Sequence, residues 1–156
     1  MANEDKMVYG SPITVISHAA TLANGANTYT GLSGCTMTEL NNSSAYPYAR
    51  AVLNITDTFA AAPTAGGGVE LWMMRNDVDS TTDCTPVPAV SDLAIAESVG
   101  WFPIAAQDVA HIVSIIISLE DVVKANFFIK NACGQTISYA STATTVKITP
   151  FTHGPA

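Results

Sequence analysis

Charge is scarce in this sequence: Asp, Glu, Lys and Arg make up 12% of the chain, against about 25% in an ordinary soluble domain. Ala, Thr, Ser, Val and Ile take their place. The resulting near-neutral surface is poorly protected against association, which favours a protein that works inside an assembly. Positive charge is scarcer still, with 6 Lys and Arg against 13 Asp and Glu, a formal net charge of -7. Lys6, Arg50, Arg75, Lys124, Lys130 and Lys147 form no basic run. Nucleic-acid binding, which needs clustered cations to neutralise phosphates, is not expected.

Long apolar runs are also missing. Residues 115–117 and 127–129 fall far short of the ~20 residues that span a bilayer, so no membrane partner is expected. The polar, acidic start Met1-Ala2-Asn3-Glu4-Asp5-Lys6-Met7 lacks the apolar stretch of a signal peptide, which points to synthesis in the cytoplasm. The 3 cysteines, Cys35, Cys84 and Cys133, match neither a disulfide framework nor a zinc spacing and read as reduced core or interface thiols.

Helical periodicity is nearly absent as well. What recurs instead are runs rich in Val, Ile, Thr, Tyr and Phe, punctuated by Gly, Pro, Asn and Asp. Candidate strands cover residues 13–16, 26–32, 48–58, 69–76, 101–104, 109–119, 123–131, 136–139 and 144–151. In 48–58 the alternation is clean: Ala49, Ala51, Leu53, Ile55 and Asp57 share one face, and Tyr48, Arg50, Val52, Asn54, Thr56 and Thr58 the other. Residues 60–68 read as a small-residue loop. The Gly in Asn131-Ala132-Cys133-Gly134-Gln135 stands where a tight hairpin needs a positive φ. Only 89–99, with Ser91 as N-cap, is a candidate for a short helix or helical turn, and its alternating apolar residues would also permit a strand. The chain of 156 residues is expected to be all-β, an antiparallel two-sheet sandwich of jelly-roll or immunoglobulin-like type with at most one short helix. It divides into a polar N-terminal arm, residues 1–10, and a single domain, residues 11–156.

Chemistry finds little support. His18, His111 and His153 sit in no nucleophile–base motif; His111 lies in an apolar run and reads as packed, while His18 and His153 flank strand ends and read as exposed. Asp77 and Asp79 have calcium-loop spacing, but Thr82 and Pro88 occupy the positions that need Gly and Glu. The glycines at 66–68 are not followed by the Lys-Ser or Lys-Thr of a phosphate loop. No catalytic residue, cofactor or metal site is expected, and the protein is read as non-enzymatic. Trp72 and Trp101 remain as glycan or interface aromatics, which keeps a carbohydrate-binding sandwich as an alternative.

Two segments carry a resemblance. Phe127-Phe128-Ile129-Lys130-Asn131-Ala132-Cys133-Gly134-Gln135-Thr136 and Thr145-Val146-Lys147-Ile148-Thr149-Pro150-Phe151 resemble the end of small structural proteins of tailed bacteriophages: a strand, an Asn-x-x-Gly turn, and a last strand closing in Lys-x-x-Pro-aromatic. Gly68-Val69-Glu70-Leu71-Trp72-Met73-Met74-Arg75 is similar to the middle strand of the same group. The loop after it often reads Asp-Gly-Thr-x-Tyr there and reads Asp79-Ser80-Thr81-Thr82-Asp83 here. The resemblance implies a virion protein made in the host bacterial cytoplasm, a decoration or cement protein on the capsid surface. Its partners would be the major capsid protein and further copies of itself, with trimers favoured. A tail or fibre component is the alternative within the particle, although no fibre-like repeat is visible. The arm, with Asn3, Glu4, Asp5, Lys6, Met7, Val8 and Tyr9, is expected to order on docking by adding a strand to a capsid edge.

Overall fold

Alternating apolar residues need a partner layer, and in the computed structural model two antiparallel sheets provide it for each other. The structure describes residues 6–28, 33–76, 96–104, 109–139 and 141–154. Its strands are Lys6–Tyr9 (β1), Ile13–His18 (β2), Cys35–Met37 (β3), Leu40–Asn41 (β4), Tyr48–Ile55 (β5), Gly68–Asn76 (β6), Glu97–Pro103 (β7), His111–Ser118 (β8), Lys124–Ala132 (β9) and Thr144–Gly154 (β10). One sheet runs β3-β2-β10-β5-β8 with β1 also on β10, and the other runs β4-β9-β6-β7.

The pairing pattern settles which sandwich this is. Counting β2 and β4 to β10 as a series, the first pairs with the last, β4 with β9, β5 with β8, and β6 with β7, all antiparallel. That is one long double-stranded hairpin, rolled up so that β10 also meets β5 and β9 also meets β6. A hairpin rolled this way is a jelly roll, and the immunoglobulin-like alternative falls away.

Between the sheets lies one core. Ala49, Ala51, Leu53 and Ile55, the face expected from the alternation in 48–58, are fully buried with Ile16, Val146 and Ile148 on one sheet and Val69, Leu71, Met73, Phe102, Phe127 and Ile129 on the other. Asp57 lies beyond the end of β5. The β7 and β8 edges of the two sheets approach closely: a Cβ at Gly100 would collide with Ile115 Cδ1.

Several expectations are corrected. Residues 136–139 form no strand but a single bridge, Leu22 to Ile137, and Asn27 likewise bridges Lys130; residues 29–32 lie outside the described residues. The Asn131–Gln135 turn is therefore no hairpin within one sheet but the crossover from β9 to β10. Gly134 does have φ +81°. Of the proposed helix, residues 89–95 lie outside the described residues, and Glu97 to Val99 belong to β7. No helix occurs among the described residues. The strands β3 and β4 were not expected, being too short to show a period.

Buried asparagines tie the connections at each end. Asn131 donates from Nδ2 to the carbonyls of Leu22 (3.0 Å) and Gln135 (2.7 Å), and its Oδ1 accepts the Cys133 N–H (3.1 Å). Asn42 at the opposite end donates to the carbonyls of Tyr46 and Val122, both at 2.9 Å. Because Asn131 is fully buried, removing its amide strands several polar groups without water. Asn131→Ala is expected to cost roughly 2–4 kcal/mol, read as a lowered urea midpoint.

Candidate functional site

In an antiparallel sheet one face packs the core and the other is left to solvent, so the outer face of each sheet is where this fold can present a site. On the four-stranded sheet the outer face holds both tryptophans singled out from the sequence. Trp101 is the cross-strand neighbour of Glu70, and Trp72 lies two residues along from Glu70 on the same strand and face. Glu70 accepts the Trp72 Nε1–H at 2.9 Å and pairs with Lys130 at 3.6 Å. Trp72 packs with Met37 and Ala96 around buried Met74 and Phe128, a second small cluster.

Trp101, 39% exposed, lies across β6. A Cβ at Gly68 would sit 2.6 Å from its Cε2, so only glycine admits the indole there. This is aromatic cover for a glycine as much as a platform. The face thus offers one open ring, beside a carboxylate already engaged by two neighbours.

On the six-stranded sheet the outer face is different in kind. Residues 6–9 of the expected arm are β1, paired with the end of β10 from Lys6–Gly154 to Tyr9–Phe151. These four residues are thus a strand of the sheet itself. Asn3, Glu4 and Asp5 lie outside the described residues. Lys6 and Val8 point to the inner side of the sheet, and Met7 and Tyr9 stand on its outer face with His153 and Phe151. There Phe151 forms the centre of an aromatic cluster: Tyr48 stacks on it at 5.7 Å, Tyr9 lies at 5.9 Å, and His153 meets it edge-on at 6.3 Å.

The apolar surface continues across β5 to β8. Arg50 stands between Thr149 and Ile116, and Asn54 between Thr145 and Ile112. Ile112 is 74% and Ile116 59% exposed. Met7, Tyr9, Tyr48, Ile112 and Ile116 are half of the large apolar side chains that the described residues expose, and all stand on this one face. A groove of about 350 Å³ runs between Met7, Tyr9, Arg50, Ile116 and Phe151.

The alternation in 48–58 did mark Tyr48 and Arg50 as outward. Ile112 and Ile116 were missed, although apolar residues at both parities of the edge strand β8 were the available signal.

A wider groove, about 560 Å³, sits at the kink between β1 and β2, lined by Tyr9, Pro12, Glu39, Asn42, Tyr46 and Pro150. Both ends of the Asn42 amide are already engaged there by backbone groups. Among the described residues no three His, Cys, Asp or Glu side chains converge as metal ligands, and residues 77–83 lie outside them. Cys35 and Cys133 are free thiols. Burial raises the pKa of both, opposed by contacts to Thr28 and Gln135 respectively, so at neutral pH they are protonated and poor nucleophiles. Cys84 lies outside the described residues.

His111 is buried, its ring tilted 5.5 Å from Phe59, and His153 is exposed. His18 corrects its expectation: it is fully buried on the core face of β2, and neither ring nitrogen has a protein hydrogen-bond partner. Burial lowers its pKa below 6.5, partly offset by the backbone at Thr21. No known protein family matches the sequence, and no curated protein matches it.

The buried imidazole makes stability depend on pH. Burial disfavours the charged His18 imidazole in the folded state, whereas the unfolded chain takes up a proton near pH 6.5. Stability is thus complete above that pH and declines as pH falls below it, by at most about 1.4 kcal/mol per unit for one proton. The melting temperature is expected to drop between pH 6.5 and 5, and His18→Leu to flatten that slope while His111 and His153 remain.

Proposed function

We propose that this protein is a non-enzymatic structural subunit of a tailed-phage particle, docking on the capsid surface through the outer face of its six-stranded sheet. The observation that carries the reading is the concentration on that face of Met7, Tyr9, Tyr48, Ile112 and Ile116. An exposed apolar surface of this kind is costly to leave in water and is typical of protein-contact sites. The sparse charge of the whole chain supports the same reading. The particle itself is supported by the sequence resemblance, and the jelly roll is compatible with it, since capsid proteins are among the users of this fold.

A decoration protein acts by mass action. Binding across the boundary between capsid subunits, it favours the assembled lattice over its separated parts without any catalytic group. The particle's other structural roles, tail or fibre, would use the same face in fewer copies.

Quantitative mass spectrometry of purified particles, counted against the major capsid protein, tests the assignment. A copy number near parity is expected; a few copies would move the protein to the tail or a fibre, and absence would remove it from the particle. Ile112→Ser/Ile116→Ser tests the face. Both side chains are exposed, so the fold should stay within about 0.5 kcal/mol of the parent, while incorporation into particles falls.

A further inference from the structure

The outer face of the six-stranded sheet differs from the rest of the chain in charge as well as in hydropathy. The chain carries -7 overall, yet the described residues of this face include Arg50 and Lys147 and no carboxylate. The cross-strand neighbours of Arg50 are Thr149 and Ile116, and those of Lys147 are Val52 and Thr14. Since Lys147 lies two residues from Thr149 on β10, the two cations are diagonal neighbours, roughly 7–8 Å apart at Cα.

Of the other cations, three are paired within the fold, and Lys6 at the start of β1 makes no ion pair with a described residue. Arg75 pairs with Glu97 at 3.2 Å, Lys124 with Glu39 at 3.8 Å and Lys130 with Glu70 at 3.6 Å. Those ion pairs all lie at the four-stranded sheet. Arg50 and Lys147 make no ion pair or side-chain hydrogen bond with any described residue. Among the described residues these two like charges, side by side amid exposed isoleucine and tyrosine, have no carboxylate partner.

We propose that this face docks an acidic protein surface: one presenting carboxylates opposite Arg50 and Lys147, with an apolar side chain entering the groove between Tyr9, Ile116 and Phe151. The proposal rests on the docking reading above and adds the chemistry of the partner. The Arg50 guanidinium can hold a carboxylate through two parallel hydrogen bonds, and the flanking Tyr48 and Ile116 shield that pair from water. Face-to-face pairing with a second copy is disfavoured, because it would bring two cation pairs together with no acid between them. Nucleic acid is disfavoured because two cations on a protein of net charge -7 neutralise too few phosphates.

Biolayer interferometry with the full chain tests this on three immobilised probes: a random Glu-Tyr copolymer, a Lys-Tyr copolymer of the same length, and single-stranded oligothymidine. At about 0.1 M salt, charges more than about 10 Å apart are screened, so the local patch and not the net charge decides the outcome. The Glu-Tyr copolymer is expected to bind at least about tenfold tighter than either other probe. Arg50→Gln/Lys147→Gln should reduce that binding about tenfold with an unchanged circular dichroism spectrum. Equal binding of the three probes, preference for oligothymidine, or full binding by the double variant would overturn the proposal. So would self-association in light scattering that the double variant strengthens. Particle incorporation separates the two readings. If Ile112→Ser/Ile116→Ser is excluded while Arg50→Gln/Lys147→Gln is incorporated normally, the docking face stands and the acidic partner falls. If both are incorporated normally, the face itself falls.

Discussion

The last strand is the one on which the rest depends. β10 is hydrogen-bonded along both edges, by β1 and β2 on one side and by β5 on the other. Without it the six-stranded sheet separates into β2 with β3 and β5 with β8. Every layer but the innermost, β6 with β7, pairs strands distant in sequence, and the outermost brings β2 against β10. Such a topology closes late, because the entropy of forming the longest loops is met before their contacts repay it. It also explains why β1 is ordered. Once β10 is in place, its free edge beyond β2 is a template, and Gly10 N–H to Pro150 C=O at 2.8 Å carries the ladder across the kink.

How far the sequence disclosed this depends on the residue. The strand at 48–58 was legible because its two faces meet different solvents, and the buried set Ala49, Ala51, Leu53 and Ile55 follows the alternation. β9 was legible for its length and its Phe127-Phe128-Ile129 run, and β10 for its length and β-branched content. The sandwich type was not, since jelly roll and immunoglobulin-like folds differ in which strands pair across long separations, and period-two alternation carries no pairing information. His18 was misread for a related reason. Being at the end of a strand in sequence says nothing of depth: His18 stands opposite Thr144 on the core face and is fully buried. Asn131 was seen as part of a turn; its burial and its bonds to Leu22, 109 residues away, are tertiary facts.

The two outer faces show how one scarce resource is divided. With 6 cations, the chain commits three to ion pairs at the four-stranded sheet, where Glu70 also holds the Trp72 indole. Those exposed pairs contribute little to stability individually, but they leave that face electrically closed. The opposite face keeps Arg50 and Lys147 open beside its aromatic cluster. Trp101 was one of two aromatics singled out from the sequence, yet its ring serves first to cover Gly68. The aromatics with room around them are Tyr9 and Tyr48, which ordinary composition hides.

Sheet edges decide whether such a protein associates through backbone or through side chains. An exposed edge is an indiscriminate template for further strands. Here β3 and β4 are three and two residues long, while the longer edge strands β7 and β8 meet through side chains, Ile115 against Gly100, without pairing their backbones. What edge remains at β1 is only four residues. A face, unlike an edge, recognises a partner through side chains, whose chemistry can be selective. That is the condition under which two unpaired cations matter, since on an apolar face they determine which of many apolar partners is accepted.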